Sequence, residues 1–204
     1  MHIAIAGNIG AGKTSLTESL SKHYKWQGHF EEVVENPYLD DFYHQMERWS
    51  FNLQVYFLNS RFGQLIEIQK SNKNVIQDRS IYEDAHIFAP NLHAMGLLSQ
   101  RDYQNYISLF ELMENMVTGP DLMIYLRSSI PNLVGNIHKR GREFENSISI
   151  DYLSRLNERY EAWIHNYDKG RLLIIDVDEI NFVDNPEDIG SIIERIDSKI
   201  NGLF

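Results

Sequence analysis

The sequence contains no cysteine. Disulfide frameworks, thiolate metal sites and cysteine nucleophiles are therefore excluded, and a reducing compartment is compatible. Basic charge is scarce, with 19 Lys and Arg against 29 Asp and Glu, a formal net charge of −10. Proteins that hold a nucleic-acid polymer carry a basic footprint, so no such partner is expected. A local cationic cluster can still hold a small anion against the global sign. No apolar run approaches the roughly 20 residues that span a bilayer, so no membrane partner is expected. The first strand begins so near the N-terminus that no signal or transit peptide is expected, and the expected location is cytoplasmic. The eight histidines lack a metal-ligand pattern. His86 and His93 share a helix face without companions and are read as structural. Internal repeats, low-complexity tracts and obvious linkers are absent too, and residues 1–204 are expected to form one domain.

What is present begins with Met1 to Leu20, which reads as a buried strand, a glycine loop and a helix start. It contains Gly7-Asn8-Ile9-Gly10-Ala11-Gly12-Lys13-Thr14, a complete G-x-x-x-x-G-K-[ST]. The glycines let successive N–H groups turn toward one phosphate chain, and the following helix adds its positive end. Lys13 is placed to reach the β- and γ-phosphates, and the Thr14 hydroxyl to bind Mg²⁺. The loop names a nucleoside triphosphate such as ATP and leaves the acceptor blank.

Further along, Thr14 to about Lys25 reads as a helix and Phe30 to Val34 as a second strand. Pro37 biases its neighbour away from helix, so Glu35 sits at or just past that strand's end, where ligands bind in open α/β sheets. About Glu47 to Gln69 reads as one long helix. Gln54 and Arg61 are seven apart, so at about 3.6 residues per turn they share a face. Asn74 to Gln77 reads as a strand delivering Asp78-Arg79-Ser80, a carboxylate placed to hold Mg²⁺ directly or through water. Asp84 and Phe88 follow at helical i, i+4 spacing. Gln100 to Val117 is an amphipathic helix, Asp121 to Leu126 a strand, and Pro131 starts a helix running to Lys139. Lys139 to Glu145 is a basic cluster with acidic neighbours. Ile150 to about Tyr167 is helical. Leu172 to Asp176 is the most hydrophobic strand, and Asn185-Pro186-Glu187 starts the last helix. Strands separated by helices predict an α/β fold: a P-loop NTPase with a parallel five-stranded sheet and helices on both faces. Strand order is not readable.

The segments GNIGAGKT, VVENPYLDDFY, RWSFNLQVYFLNSRF, DRS followed by IYEDAHIF, and RGREFE resemble the deoxynucleoside kinases, in particular the bacterial deoxyadenosine/deoxyguanosine kinases and the deoxycytidine/deoxyguanosine branch. The resemblance runs from about Met1 to Trp163. It implies that Glu35 is the general base at the sugar 5′-hydroxyl, Asp78 a Mg²⁺ holder with Thr14, and Arg79 an arginine beside the 5′-oxygen and the transferred group. It implies that Gln54 and Asp84, with Arg61 beside them, read the base edge and that Phe88 stacks on it. Tyr43 and Glu145 match the pair at the sugar 3′-hydroxyl. Arg140 and Arg142 match the arginines of a lid at about residues 139–148 that closes over ATP. One departure is Asn136, where relatives often carry another lid arginine, which touches the expected contact with the donor adenine. A homodimer is the family expectation.

The expected reaction is transfer of the γ-phosphoryl group of ATP to the 5′-hydroxyl of a 2′-deoxynucleoside, in salvage of DNA precursors. Lys13, Mg²⁺, Arg79, Arg140 and Arg142 supply positive charge, and Glu35 takes the proton. The resemblance further implies that Arg61 and Asp84 favour adenine, guanine or cytosine over thymine, and that purines come first, with deoxycytidine activity beside them. Another P-loop kinase, acting on a nucleoside monophosphate or small alcohol, stays open. So does a nucleotide-dependent switch, although the guanine-reading N-K-x-D motif is absent.

Overall fold

The structure is a computed structural model that describes residues 1–31 and 36–202, apart from the side chain of Asn146. In chain order the elements are β1 (His2–Gly7), α1 (Lys13–Tyr24), β2 (Gln27–His29), α2 (Leu39–His44), α3 (Met46–Lys70), β3 (Val75–Asp78) and α4 (Ile81–Glu83). A π-helical turn (Asp84–Phe88) leads into α5 (Ala89–Ala94). They are followed by α6 (Gln100–Glu114), β4 (Leu122–Arg127), α7 (Ile130–Arg140), a 3₁₀ turn (Glu143–Ser147), α8 (Ile150–His165), β5 (Arg171–Asp176) and α9 (Pro186–Asn201).

Along β1 the side chains alternate between two apolar clusters, with Ile3 and Ile5 in one and Ala4 and Ala6 in the other. This is the period-two geometry of a strand, and burial on both faces explains why the run is apolar throughout. The strands form one parallel sheet in the order β2-β3-β1-β4-β5. Leu16 and Leu20 of α1, Leu133 of α7, and Ile192 and Ile196 of α9 cover the Ile3/Ile5 face. Leu53 and Leu58 of α3, Tyr106 and Phe110 of α6, and Leu156 and Tyr160 of α8 cover the Ala4/Ala6 face. The small alanines let these larger aromatic side chains approach the sheet. The expected parallel five-stranded sheet with helices on both faces is what the chain forms.

The order reverses around β1: after β3 the chain crosses to place β4 on the far side of β1. Such a switch point leaves a crevice beyond the carboxyl ends of the central strands. The glycine loop leaves the end of β1, and Asp78-Arg79 leaves the end of β3, so both open onto that crevice.

Two expectations differ from the structure. The strand expected over Phe30 to Val34 is placed earlier: the described strand is Gln27–His29, while Phe30 and Glu31 lie outside it and residues 32–35, with Glu35, lie outside the described residues. Polar Gln27 and His29 were no strand signal, but an edge strand of three residues needs only backbone pairing, and it pairs with β3 from Gln27↔Val75 to His29↔Gln77. Leu172 to Ile175, the most hydrophobic strand segment, belongs to the other edge strand, and only Ile175 is fully covered. Asp84 and Phe88 sit in a π-helical turn and not a regular α-helix, with the Ala89 N–H bonding the Asp84 carbonyl. Such wide turns recur at functional sites.

Candidate active site

One cavity of about 730 Å³ lies over the crevice. Its wall contains Ile9 through Thr14 on one side and Gln54, Arg61, Arg79, Asp84 and Phe88 on the other. Tyr43, Arg140, Arg142 and Glu145 complete it from above. Gly7 and Asn8 lie beneath the loop and Asp78 behind Thr14, outside the wall.

The loop is shaped by its surroundings. Gly10 and Gly12 adopt φ of 87° and 92°. A Cβ on Gly10 would stand 2.7 Å from the Leu133 carbonyl oxygen, and one on Gly12 would stand 2.7 Å from the Phe182 ring. Both positions need glycine on conformation, and Gly10 needs it on space as well, because the atom it meets belongs to the backbone. Asn8 anchors the loop from below: its Nδ2 donates to the Leu153 carbonyl (3.0 Å) and to Asn157 Oδ1 (2.9 Å), and its Oδ1 accepts from the Ile9 N–H (2.8 Å). Asn136 Nδ2 donates to the Gly10 carbonyl at 2.9 Å. The residue that departs from the relatives' arginine thus fastens α7 to the loop.

Lys13 is buried, and its Nζ donates to the Asn8 carbonyl at 2.9 Å. Burial, with Arg79 adding to it, lowers its ammonium to about 7, against Asp78, Glu83 and Glu31. A phosphate chain in the loop would supply the missing counter-charge. Thr14 Oγ1 donates to Asp78 Oδ2 at 2.6 Å. Asp78 Oδ1 is buried with no hydrogen-bond partner among the described residues. Burial raises the Asp78 carboxyl, as expected of an anion lacking a full set of partners.

The wall opposite the loop is a chain of charges. Arg61, on α3, donates to Asp84 from Nη1 and to Glu31 from Nη2. Burial pushes the Asp84 carboxyl up to about 6, against the pull of Arg61 and Arg79. Arg61 itself stays firmly charged, because Asp84 and Glu31 outweigh its burial. Gln54, one face with Arg61 as its spacing predicts, leaves Oε1 buried without a partner among the described residues. Buried polar atoms are normally satisfied, so this oxygen fits a bound polar group. Phe57 lies under the Arg61 guanidinium at 4.5 Å, and Phe88 faces that of Arg79 at 4.7 Å.

Arg79 has a positive φ of 69°, uncommon for a side chain with a Cβ. Its Nε stands 3.3 Å from Glu31 Oε1, and its Nη1 donates to Tyr160 Oη at 2.7 Å. Glu31 therefore faces Arg61 and Arg79 together. Burial alone would raise its carboxyl, but Arg79, Arg61, Lys13 and Arg142 bring it down to about 2. The sequence reading named Glu35, which lies outside the described residues, and did not single out Glu31. The available signal was its place two residues past the short strand, within a run of glutamates.

Above the cavity, Arg140 makes a bidentate pair with Glu145, Nε to Oε2 at 3.0 Å and Nη2 to Oε1 at 2.6 Å, and Arg142 adds a 3.4 Å contact. The Tyr43 ring stacks on Phe144 with centroids 5.7 Å apart. Both arginines, expected to face phosphates, here face the carboxylate expected to hold the sugar.

The sequence pattern of the deoxynucleoside kinase family matches residues 3–201. The chain belongs to the deoxynucleoside kinase family. It is 40% identical to a deoxyadenosine/deoxycytidine kinase of Bacillus subtilis, over 98% of this chain and 93% of that one. It is 35% identical to a deoxyguanosine kinase of Lactobacillus johnsonii, with the same coverages of 98% and 93%. It superposes on a deoxyadenosine kinase from M. mycoides with bound dATP at a TM-score of 0.86 and 32% identity, over 97% of this chain and 100% of that one. This kinase is an ATP-dependent phosphotransferase acting on deoxynucleosides. Among its described residues, no helix is long and apolar enough to cross a membrane.

Proposed function

We propose that this kinase transfers the γ-phosphoryl group of ATP to the 5′-hydroxyl of a deoxynucleoside that carries an exocyclic amino group, deoxyadenosine foremost, with deoxyguanosine and deoxycytidine beside it. The observation that carries the reading is the shared cavity: the phosphate loop, the Glu31–Arg79 contact and the Arg61–Asp84 pair all line it. The relatives' names support the same bases.

The roles divide as follows. Residues Gly7 to Thr14 cradle the triphosphate, with Lys13 at its end. Asp84 accepts from the exocyclic amino group, Gln54 and Arg61 read the rest of the base edge, and Phe88 stacks on the ring. Tyr43 and Glu145 hold the 3′-hydroxyl. Arg79 stabilises charge at the transferred group. Glu31 takes the proton of the 5′-hydroxyl, the role that the resemblance assigned to Glu35. The support for Glu31 is its 3.3 Å contact with Arg79 and its position in the cavity wall. Phosphates that engage Lys13, Arg79 and Arg142 draw those charges from Glu31 and raise its proton affinity toward a working range.

Mg²⁺ suits this site. Magnesium is held by one or two protein oxygens, the rest of its shell coming from phosphates and water, so no cage of three acidic residues is needed. Thr14 Oγ1 and the unpartnered Asp78 Oδ1 are the oxygens that would hold it. When bound it neutralises phosphate charge.

Arg140 and Arg142, on a lid of residues 139–148, exchange Glu145 for ATP phosphates when the lid closes, which frees Glu145 for the sugar. Residues 1–204 act as one domain. A homodimer and a cytoplasmic location accompany the reading, and sedimentation of the purified protein tests the first. Turnover across deoxyadenosine, deoxyguanosine, deoxycytidine and thymidine with ATP tests the whole. The expected order puts deoxyadenosine first and thymidine last, and preferred turnover of thymidine or of a nucleoside monophosphate refutes it.

A further inference from the structure

Glu83 is wholly buried, lies outside the cavity wall, and has no part in the reaction as described. It nevertheless gathers bonds from both halves of the site. Its Oε1 accepts from the Gly7 N–H at 3.3 Å, from Arg79 Nη1 at 3.2 Å and from the Tyr160 hydroxyl at 2.8 Å. Its Oε2 accepts from the Ser80 N–H at 2.8 Å. Gly7 opens the phosphate loop, and Arg79 is the arginine in contact with Glu31. Tyr160 closes a triangle, since it also accepts from Arg79 Nη1 at 2.7 Å.

We propose that Glu83 is a positioning residue that ties the Arg79 guanidinium to the phosphate loop, so that the arginine stands in line with the group being transferred. The proposal rests on the assignment of Arg79 to the reacting group. Two physical points carry it. First, Arg79 leaves β3 in a left-handed conformation, which a side-chain-bearing residue keeps only where its surroundings hold it. The Arg79 N–H bond to the Ile5 carbonyl at 2.9 Å holds the backbone, and Glu83 with Tyr160 holds the guanidinium. Second, helix capping alone does not require this carboxylate. A capping box works with either Glu or Gln, and the Ser80 N–H uses only Oε2. The second oxygen, with its charge, is committed to Arg79, Tyr160 and Gly7. A glutamine that keeps the cap would turn its NH₂ group toward those three donors.

Steady-state kinetics of the full chain with ATP and deoxyadenosine test this, using Glu83→Gln, Arg79→Ala, the double variant and Tyr160→Phe. Glu83→Gln should lower kcat by about 10- to 100-fold, the worth of a hydrogen bond to a charged group, while KM for both substrates stays within about threefold. The double variant should be no slower than Arg79→Ala, because residues that act through one another are not additive. A folded Glu83→Gln with wild-type kcat overturns the proposal, as does a double variant whose loss is the product of the two single losses. Should Glu83→Gln not fold, Tyr160→Phe decides: it keeps the cap and the carboxylate, and should lower kcat by about 3- to 10-fold at unchanged KM. Unchanged kcat there also overturns it. An Arg79→Ala enzyme with wild-type kcat would instead remove the underlying assignment of Arg79.

Discussion

Replacing Glu31 by Gln keeps the side chain's shape and removes the charge that two guanidinium groups face. The stability effect follows from the displaced carboxyl, whose ordinary value is 4.5 and whose value in the fold is about 2. The difference corresponds to no more than about 3 kcal/mol, and the side chain's 20% exposure trims it. The sign is that of a depressed carboxylate: its contribution is complete above pH 4.5 and is lost as the pH falls toward 2. Urea denaturation should therefore find Glu31→Gln less stable at pH 7, with the gap to wild type closing in acid. Arg61 and Arg79 keep Asp84 and Glu83 as partners, so the fold should survive. The catalytic effect should be larger, because a lost general base costs about 10²- to 10⁴-fold in turnover. The assay is ADP release at saturating deoxyadenosine, with ATP binding measured separately and expected to persist. Turnover within tenfold of wild type would refute the role given to Glu31. A parallel Glu35→Gln variant that alone lost turnover would return the role to Glu35.

Other substitutions probe other parts. Gly10→Ala should abolish measurable ATP binding and cost about 1–3 kcal/mol, because φ is 87° and the new Cβ meets the Leu133 carbonyl; unaltered ATP affinity in calorimetry would contradict that geometry. Asp84→Ala combined with Arg61→Met should move the kcat/KM ratio away from deoxyadenosine toward thymidine, and an unmoved ratio would undercut the base-reading assignment. His2, which hydrogen-bonds Gln77 Oε1 at 3.0 Å, is lowered by burial from 6.5 to about 4. Its contribution is complete above pH 6.5 and lost as the pH falls toward 4, so wild type should lose about 3 kcal/mol more than His2→Gln between pH 7 and 4 in urea melts.

The residues that needed only local geometry were legible from the chain. The loop spacing names its phosphate ligand because consecutive backbone N–H groups do the binding. Gln54 and Arg61 share a face because seven residues make about two helical turns. Asp84, the partner of Arg61, was legible only through resemblance, because nothing local says that a π-helical turn 23 residues beyond Arg61 will meet it. Glu31 was not singled out for a related reason. Its contacts depend on Arg61 and Arg79 arriving from α3 and the end of β3, and no local pattern separates it from its neighbouring glutamates. The most hydrophobic strand, Leu172 to Ile175, stands at an edge because hydrophobicity reports a preference for burial, while strand order decides which strand lies at an edge.

By itself, then, the sequence determined the parallel α/β class, the phosphate loop and the helix faces that carry charge. These follow from the period of each element and from backbone conformations that only glycine adopts. The tertiary structure decided the strand order, the Glu31–Arg79–Glu83 chain, and the turn of Arg140 and Arg142 onto Glu145. Strand order follows from how whole elements pack, Glu31 meets Arg79 from a distant part of the chain, and where several charges are neighbours the packing decides which partner each one takes.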